Sequence, residues 1–117
     1  MSDRDADCLF CKIVAGDIPS DRVYEDDEVI AFRDINPRAP THVLVIPRRH
    51  VPDAHALTDD DAPILSSLFA AVRRIADNAG LTTGYRVVTN VGPDAGQTVF
   101  HLHLHLLGGR SLGWPPG

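Results

Sequence analysis

The sequence predicts an α+β domain: a five-stranded antiparallel sheet with two helices. Three observations lead there. Five short extended-type runs are joined mainly by turns rich in Pro, Gly and Asp, one long stretch repeats its apolar residues at helical spacing, and a shorter helical pattern lies near the N-terminus. Strands that follow one another through short turns favour antiparallel pairing, here with the helices expected on one face of the sheet. With 117 residues, 44% of them hydrophobic, the chain has the size of one domain with a modest core, and no repeat, low-complexity tract or Gly/Ser linker divides it.

Residues 1–7 read as a mobile tail. From Cys8 to Ala15, Leu9, Phe10, Ile13 and Val14 fit a short amphipathic helix that Gly16 is placed to end. Val23-Tyr24 and Val29-Ile30-Ala31-Phe32 flank the turn-prone Asp26-Asp27 and form a hairpin, with Ile30, Phe32 and Asp34 on one face. His42-Val43-Leu44-Val45-Ile46-Pro47 is a near-continuous apolar run closed by proline, as a central strand would be. Thr58 and Asp59-Asp60-Asp61 suit a helix N-terminus, and Pro63 is tolerable near that start. Ile64, Leu65, Leu68, Phe69, Val72, Ile75 and Ala79 then make a core stripe, with Gly80 at its end. Tyr85 to Val91 and Val99 to Leu107 complete the strands, joined by Gly92-Pro93-Asp94-Ala95-Gly96-Gln97.

Composition excludes some functions. A formal net charge of −5 argues against gripping a nucleic acid polymer, which needs many cations on phosphates, so a phosphate ligand should be small. No run approaches a membrane span, and the acidic start Met-Ser-Asp-Arg-Asp-Ala-Asp is unlike a secretory signal; the expected location is the cytoplasm. In that compartment Cys8-Leu9-Phe10-Cys11 suggests metal or redox chemistry more than a structural disulfide, the alternative being two buried thiols at i, i+3 of a helix.

The most informative segment is His101-Leu102-His103-Leu104-His105-Leu106-Leu107. Strand alternation places the three histidines on one face, about 7 Å apart, and Phe100, Leu102, Leu104 and Leu106 on the other. Such a face can bind a metal that activates water, or one imidazole can attack phosphorus while its neighbours orient it. Gly96-Gln97-Thr98 directly upstream favours the second, because glycine lets phosphate approach backbone N–H groups and the side chains can donate.

This His-x-His-x-His run with apolar spacers resembles the signature of the histidine-triad superfamily of nucleotide hydrolases and transferases. Phe32 to Ala39, Pro40 to Pro47, and the ending Gly108-Gly109-Arg110 with Trp114-Pro115-Pro116-Gly117 are similar to the Hint branch, the last ten residues (108–117) being the most branch-specific. The resemblance implies a single histidine-triad domain over residues 1–117 and a homodimer whose sheets join, with Trp114 near the partner's site. It implies purine nucleoside phosphoramidase activity on AMP or GMP conjugates such as AMP-lysine, through a nucleotidyl-histidine on His103. The same superfamily also holds dinucleoside polyphosphate hydrolases, and a non-catalytic adenine-nucleotide regulator is a third possibility.

By the same resemblance His101 and His105 flank the nucleophile and His42 is the fourth histidine. Asp34 beside Ile35 would meet the ribose, Ile13, Ile18 and Phe32 the base, and Asn90, Gly96, Gln97, Thr98 and His105 the phosphate and leaving group. Bacterial members with a Cys-x-x-Cys pair imply a structural zinc on Cys8, Cys11, His50 and His101, leaving His103 free; no organic cofactor is implied. His55, Arg48 and Arg49 read as solvated surface residues.

Overall fold

The computed structural model describes residues 5–117; the first four residues of the expected mobile tail lie outside the described residues. The next three form a turn in which the Cys8 N–H bonds the Asp5 carbonyl at 3.1 Å. Helix α1 (Leu9–Ala15) follows, with Cys8 Sγ accepting the Cys11 N–H at its start and Gly16, at φ +83°, ending it in the left-handed conformation expected there. Strands β1 (Arg22–Glu25), β2 (Val29–Arg33) and β3 (Thr41–Pro47) lead to α2 (Ala62–Asn78), and β4 (Tyr85–Val88) and β5 (Leu104–Gly108) finish the sheet. Its order is β1-β2-β3-β5-β4, antiparallel at every junction.

The fold class predicted from sequence is the one observed, but the helices lie on opposite faces of the sheet. Helix α2 packs on Val29, Ala31, Val43, Val45, Leu104 and Leu106, whereas α1 packs on the alternate residues Ile30, Phe32, Leu44 and Ile46. The reason is visible in the strands. Both β2 and β3 are buried on both faces, and such strands need cover on each. Within α2 the core stripe is Leu68, Ala71, Val72, Ile75 and Ala76; Leu65 and Phe69, expected inside, are 38% and 50% exposed. Arg48 and Arg49 are also not merely solvated, since Arg48 Nε donates to the Asp26 carbonyl at 2.7 Å and Arg49 bonds Asp61 at 2.6 Å. The Arg49 hydrogen bond holds the Asp61 carboxyl below its usual range.

Leu68 is fully buried at the centre of the larger core. Leu68→Ala is expected to destabilise the protein by about 3 kcal/mol, from lost burial plus a residual cavity. Urea unfolding with an unchanged slope and a lower midpoint would show it; an unchanged midpoint would contradict this packing.

The triad segment differs most from expectation. Only Leu104 onward joins the sheet, paired with β3 from Val45↔Leu104 to Thr41↔Gly108. Upstream, backbone groups find other partners: the Leu102 N–H bonds the Val51 carbonyl at 2.6 Å, the His101 carbonyl accepts the His103 imidazole, and the His103 carbonyl accepts the Thr89 hydroxyl. With these groups satisfied, the ladder ends. Leu102, Leu104 and Leu106 still reach the core, but Phe100 is 52% exposed. At the other end Gly109 has φ +90°, and a Cβ there would lie 2.9 Å from Pro40 Cβ, so this turn needs glycine. Among the described residues no helix is long and apolar enough to cross a membrane.

Candidate functional site

A cavity of about 560 Å³ opens between α1 and the sheet face that carries Phe32 and Leu44, next to His103 and His105. Seven of the residues singled out from sequence line it: Ile13, Phe32, Asp34, Ile35, Thr98, His103 and His105. Strand β2 carries Phe32, the residues just beyond it carry Asp34 and Ile35, and the β3–β5 register sets His105 beside Leu44. The wall is apolar at the α1 end and polar at the histidine end, as small-molecule sites commonly are. Asp34 serves two purposes there. Its Oδ1 accepts the Asn36 N–H at 2.8 Å, making the local turn, while Oδ2 lies 3.4 Å from His42 Nε2.

Other expected residues sit outside that lining. Ile18 packs against the α1 core cluster. The Gln97 side chain ties its own loop to the segment after β3, donating to the Pro52 and Val99 carbonyls and accepting the Gly92 N–H. Gly96, at φ +96°, caps the short turn Pro93–Ala95, and Asn90 follows the Thr89 that bonds the His103 carbonyl. His42 stands behind His105.

Heavy-atom geometry assigns the imidazole tautomers, because His42, His101 and His103 each have one nitrogen against a backbone group of fixed polarity and His105 follows from His42. His103 Nδ1 lies 2.7 Å from the His101 carbonyl and must donate, leaving Nε2 with its lone pair. His101 Nε2 donates to the Pro47 carbonyl at 2.8 Å, leaving Nδ1 free. His42 Nδ1 accepts the Arg38 N–H at 3.0 Å, so the neutral ring carries its proton on Nε2 and donates it to His105 Nδ1 at 2.9 Å. His105 therefore keeps an Nε2–H as a donor. Burial pushes His42, His103 and His105 below the ordinary histidine range, His105 to about 4, so these rings are neutral at pH 7. Desolvation outweighs the Asp34 carboxylate, which opposes it at each.

Among the described residues, two groups of side chains bring potential ligand atoms within 4.8 Å of one another: Cys8, Cys11, His50 and His101, and Asp34, His42 and His105. The first suits a metal. Cys8 Sγ and Cys11 Sγ lie 3.4 and 3.5 Å from His101 Nδ1, and Cys11 Sγ lies 3.3 Å from His50 Nδ1. A tetrahedral zinc with two thiolates and two imidazoles separates sulfur from nitrogen by about 3.6 Å. Burial brings His101 down to about 4, so it is neutral and its Nδ1 can coordinate, and both cysteines are buried and free of disulfide. The second group suits one poorly. His42 Nε2 could coordinate only by moving its proton to Nδ1, against the Arg38 N–H.

Sequence reasoning passed over Phe10, a cavity residue read only as part of an apolar helix stripe. Its ring stands edge-on to His103 at 5.1 Å and to Phe32 at 5.4 Å. Its place inside Cys8-Leu9-Phe10-Cys11 was the available signal, since thiols that reach His101 bring the intervening helix turn onto the triad. Leu9, Pro19, Ser20, Asp21, Arg33, Leu44 and Val99 also line the cavity. The Arg38 amide and Pro47 carbonyl were not detectable, because backbone groups carry no residue-type signal.

A model of the HIT domain family matches residues 15–112. An uncharacterized HIT-like protein of Synechococcus elongatus is 53% identical over 111 residues, covering 95% of this chain and 97% of the relative. A 14 kDa zinc-binding protein of Zea mays is 48% identical over 117 residues, covering 97% of this chain and 90% of the relative. Among solved structures, a HIT family hydrolase from Legionella pneumophila superposes with a TM-score of 0.93 at 49% identity, covering 95% of this chain and all of the other.

Proposed function

Since this chain belongs to the HIT domain family, we propose that it is a purine nucleotide phosphoramidase that splits the P–N bond of AMP–amine conjugates. The observation that carries this reading is the tautomer of His103: a carbonyl occupies Nδ1, so the Nε2 lone pair is the reactive one, on a residue lining a cavity with an apolar wall and a carboxylate. Phe32 and Ile13 would take the purine and Asp34 a ribose hydroxyl.

His103 Nε2 attacks the α-phosphorus, the P–N bond breaks, and the amine leaves after its nitrogen takes a proton from solvent. Water then hydrolyses the nucleotidyl-histidine to AMP and regenerates the ring. Two displacements replace one hard one. His105 Nε2–H is placed to hydrogen-bond a phosphate oxygen as charge builds there, and His42 and the Arg38 amide hold it in that tautomer. Cys8, Cys11, His50 and His101 would hold one zinc; bound there, it supplies a cross-link between α1 and the triad segment. A homodimer would form by a second copy's sheet joining at β4, one of the two edge strands, with the 81%-exposed Trp114 reaching the partner's site.

Offering AMP-lysine and diadenosine tetraphosphate to the protein tests the reading. Faster AMP release from AMP-lysine is expected. Preference for the tetraphosphate would replace it with P–O hydrolysis, and tight AMP binding without turnover of either would make the protein a nucleotide sensor. The acid limb of kcat/KM should fall below pH 6.5, because attack needs neutral His103 and burial lowers its proton affinity. Stability should follow a related course. The folded-state pKa of His105 is depressed to about 4, so its contribution is present above the unfolded value of about 6.5 and is lost as pH falls from there toward 4. An acid limb at or above pH 7 would contradict the burial assigned to these rings.

A further inference from the structure

We propose that the Cys8, Cys11, His50 and His101 set positions the nucleophile as well as bracing the fold: a metal on His101 Nδ1 fixes the backbone carbonyl that fixes the His103 tautomer. This rests on His103 being the nucleophile. Three contacts make the link. His101 is fully buried and held from both ends, with Nε2 on the Pro47 carbonyl and Nδ1 within 3.5 Å of both sulfurs. Its carbonyl receives the His103 Nδ1–H at 2.7 Å, the shorter of the two bonds that the triad rings make to backbone. Phe10, one residue before Cys11, has its ring 5.1 Å from that of His103, so the helix turn that presents the thiols also packs against the nucleophile.

The four ligands are unequal in this arrangement. His50 is attached to the loop after β3 and meets the triad at the His101 ring, 5.1 Å between centroids. His101 is both a ligand and the residue whose carbonyl orients His103. Losing either leaves three ligands for the metal, yet only the loss of His101 cuts the connection to the nucleophile. Such a link is a free-energy coupling between two sites and must act in both directions.

The test compares two zinc-loaded variants, His50→Ala and His101→Gln, by 15N imidazole NMR. The glutamine amide can keep the bond to Pro47 while removing the Nδ1 ligand. In the wild type and in His50→Ala, His103 should show one tautomer, protonated at Nδ1; in His101→Gln it should show a mixture of both. Wild-type protein should also bind zinc roughly tenfold more tightly with AMP present than without it, a factor typical of coupled sites. The same His103 tautomer in both variants, or equal mixing in both, overturns the proposal, as does zinc affinity indifferent to bound AMP. The tautomer readout needs neither nucleotide nor turnover, so failure of the phosphoramidase reading would register separately, as absent AMP binding or absent product. Should either variant fail to fold, wild-type protein loaded with cadmium in place of zinc provides the same reading: the larger ion must shift the His103 imidazole signals, and unshifted signals overturn the link.

Discussion

Replacing His103 with alanine is expected to lower the rate of AMP release from AMP-lysine by at least about 10⁴-fold, while the fold and AMP binding persist. Loss of a nucleophile removes the covalent route altogether and leaves only positioning and electrostatic effects, so losses of this order or greater are usual. His103 packs among Phe10, His105 and the His101 carbonyl, and alanine there leaves the backbone bonds from Thr89 and Val51 intact. His105→Ala should cost less, on the order of 10²-fold, because it removes a hydrogen-bond donor to the phosphate and water can substitute in part. Single-turnover kinetics with mass spectrometry checks both: an adenylyl adduct should appear on the peptide containing His103 in wild type and be absent from His103→Ala. Near-normal turnover by His103→Ala would refute nucleophilic attack by this residue.

Removing the metal is expected to have the second largest effect, on stability. Purified, untagged protein should carry one zinc per chain by elemental analysis, and Cys11→Ser or prolonged chelation should remove most of it. The buried Cys8 thiol is pushed up by desolvation, so without metal it remains protonated beside His101. Zinc binding to the native state alone, at a thousandfold above its Kd, contributes about 4 kcal/mol. At about 4 °C per kcal/mol for a domain of this size, chelation should lower Tm by roughly 15 °C. Melting curves with and without chelator give the answer, and an unchanged Tm in protein shown to have lost zinc would mean that the four residues are only a buried cluster.

Much of this molecule was legible in one dimension because it depends on residue type at fixed spacing. The period-two run from Leu102 to Leu106 placed three leucines in the core, the α2 pattern placed Leu68, Val72 and Ile75 there, and Gly16 marked the end of α1. Four candidate metal ligands, Cys8, Cys11, His50 and His101, could be named because the Cys-x-x-Cys pair is chemically distinctive and resembles that of bacterial relatives. The boundaries of the triad strand were not legible. Alternation continues through His101 and His103, but the ladder stops at Leu104 because loop backbone and side chains satisfy the upstream groups.

By itself, then, the sequence determined the class of the fold, the identity of the histidines and cysteines, and the alternation that sends Leu102, Leu104 and Leu106 into one core. Only the tertiary structure decided what each histidine can do. The Pro47 and His101 carbonyls and the Arg38 amide, each brought into place by folding, set one ring nitrogen as donor and the other as lone pair. A backbone carbonyl is chemically the same at every residue, so the choice of which imidazole it orients is made by position in space.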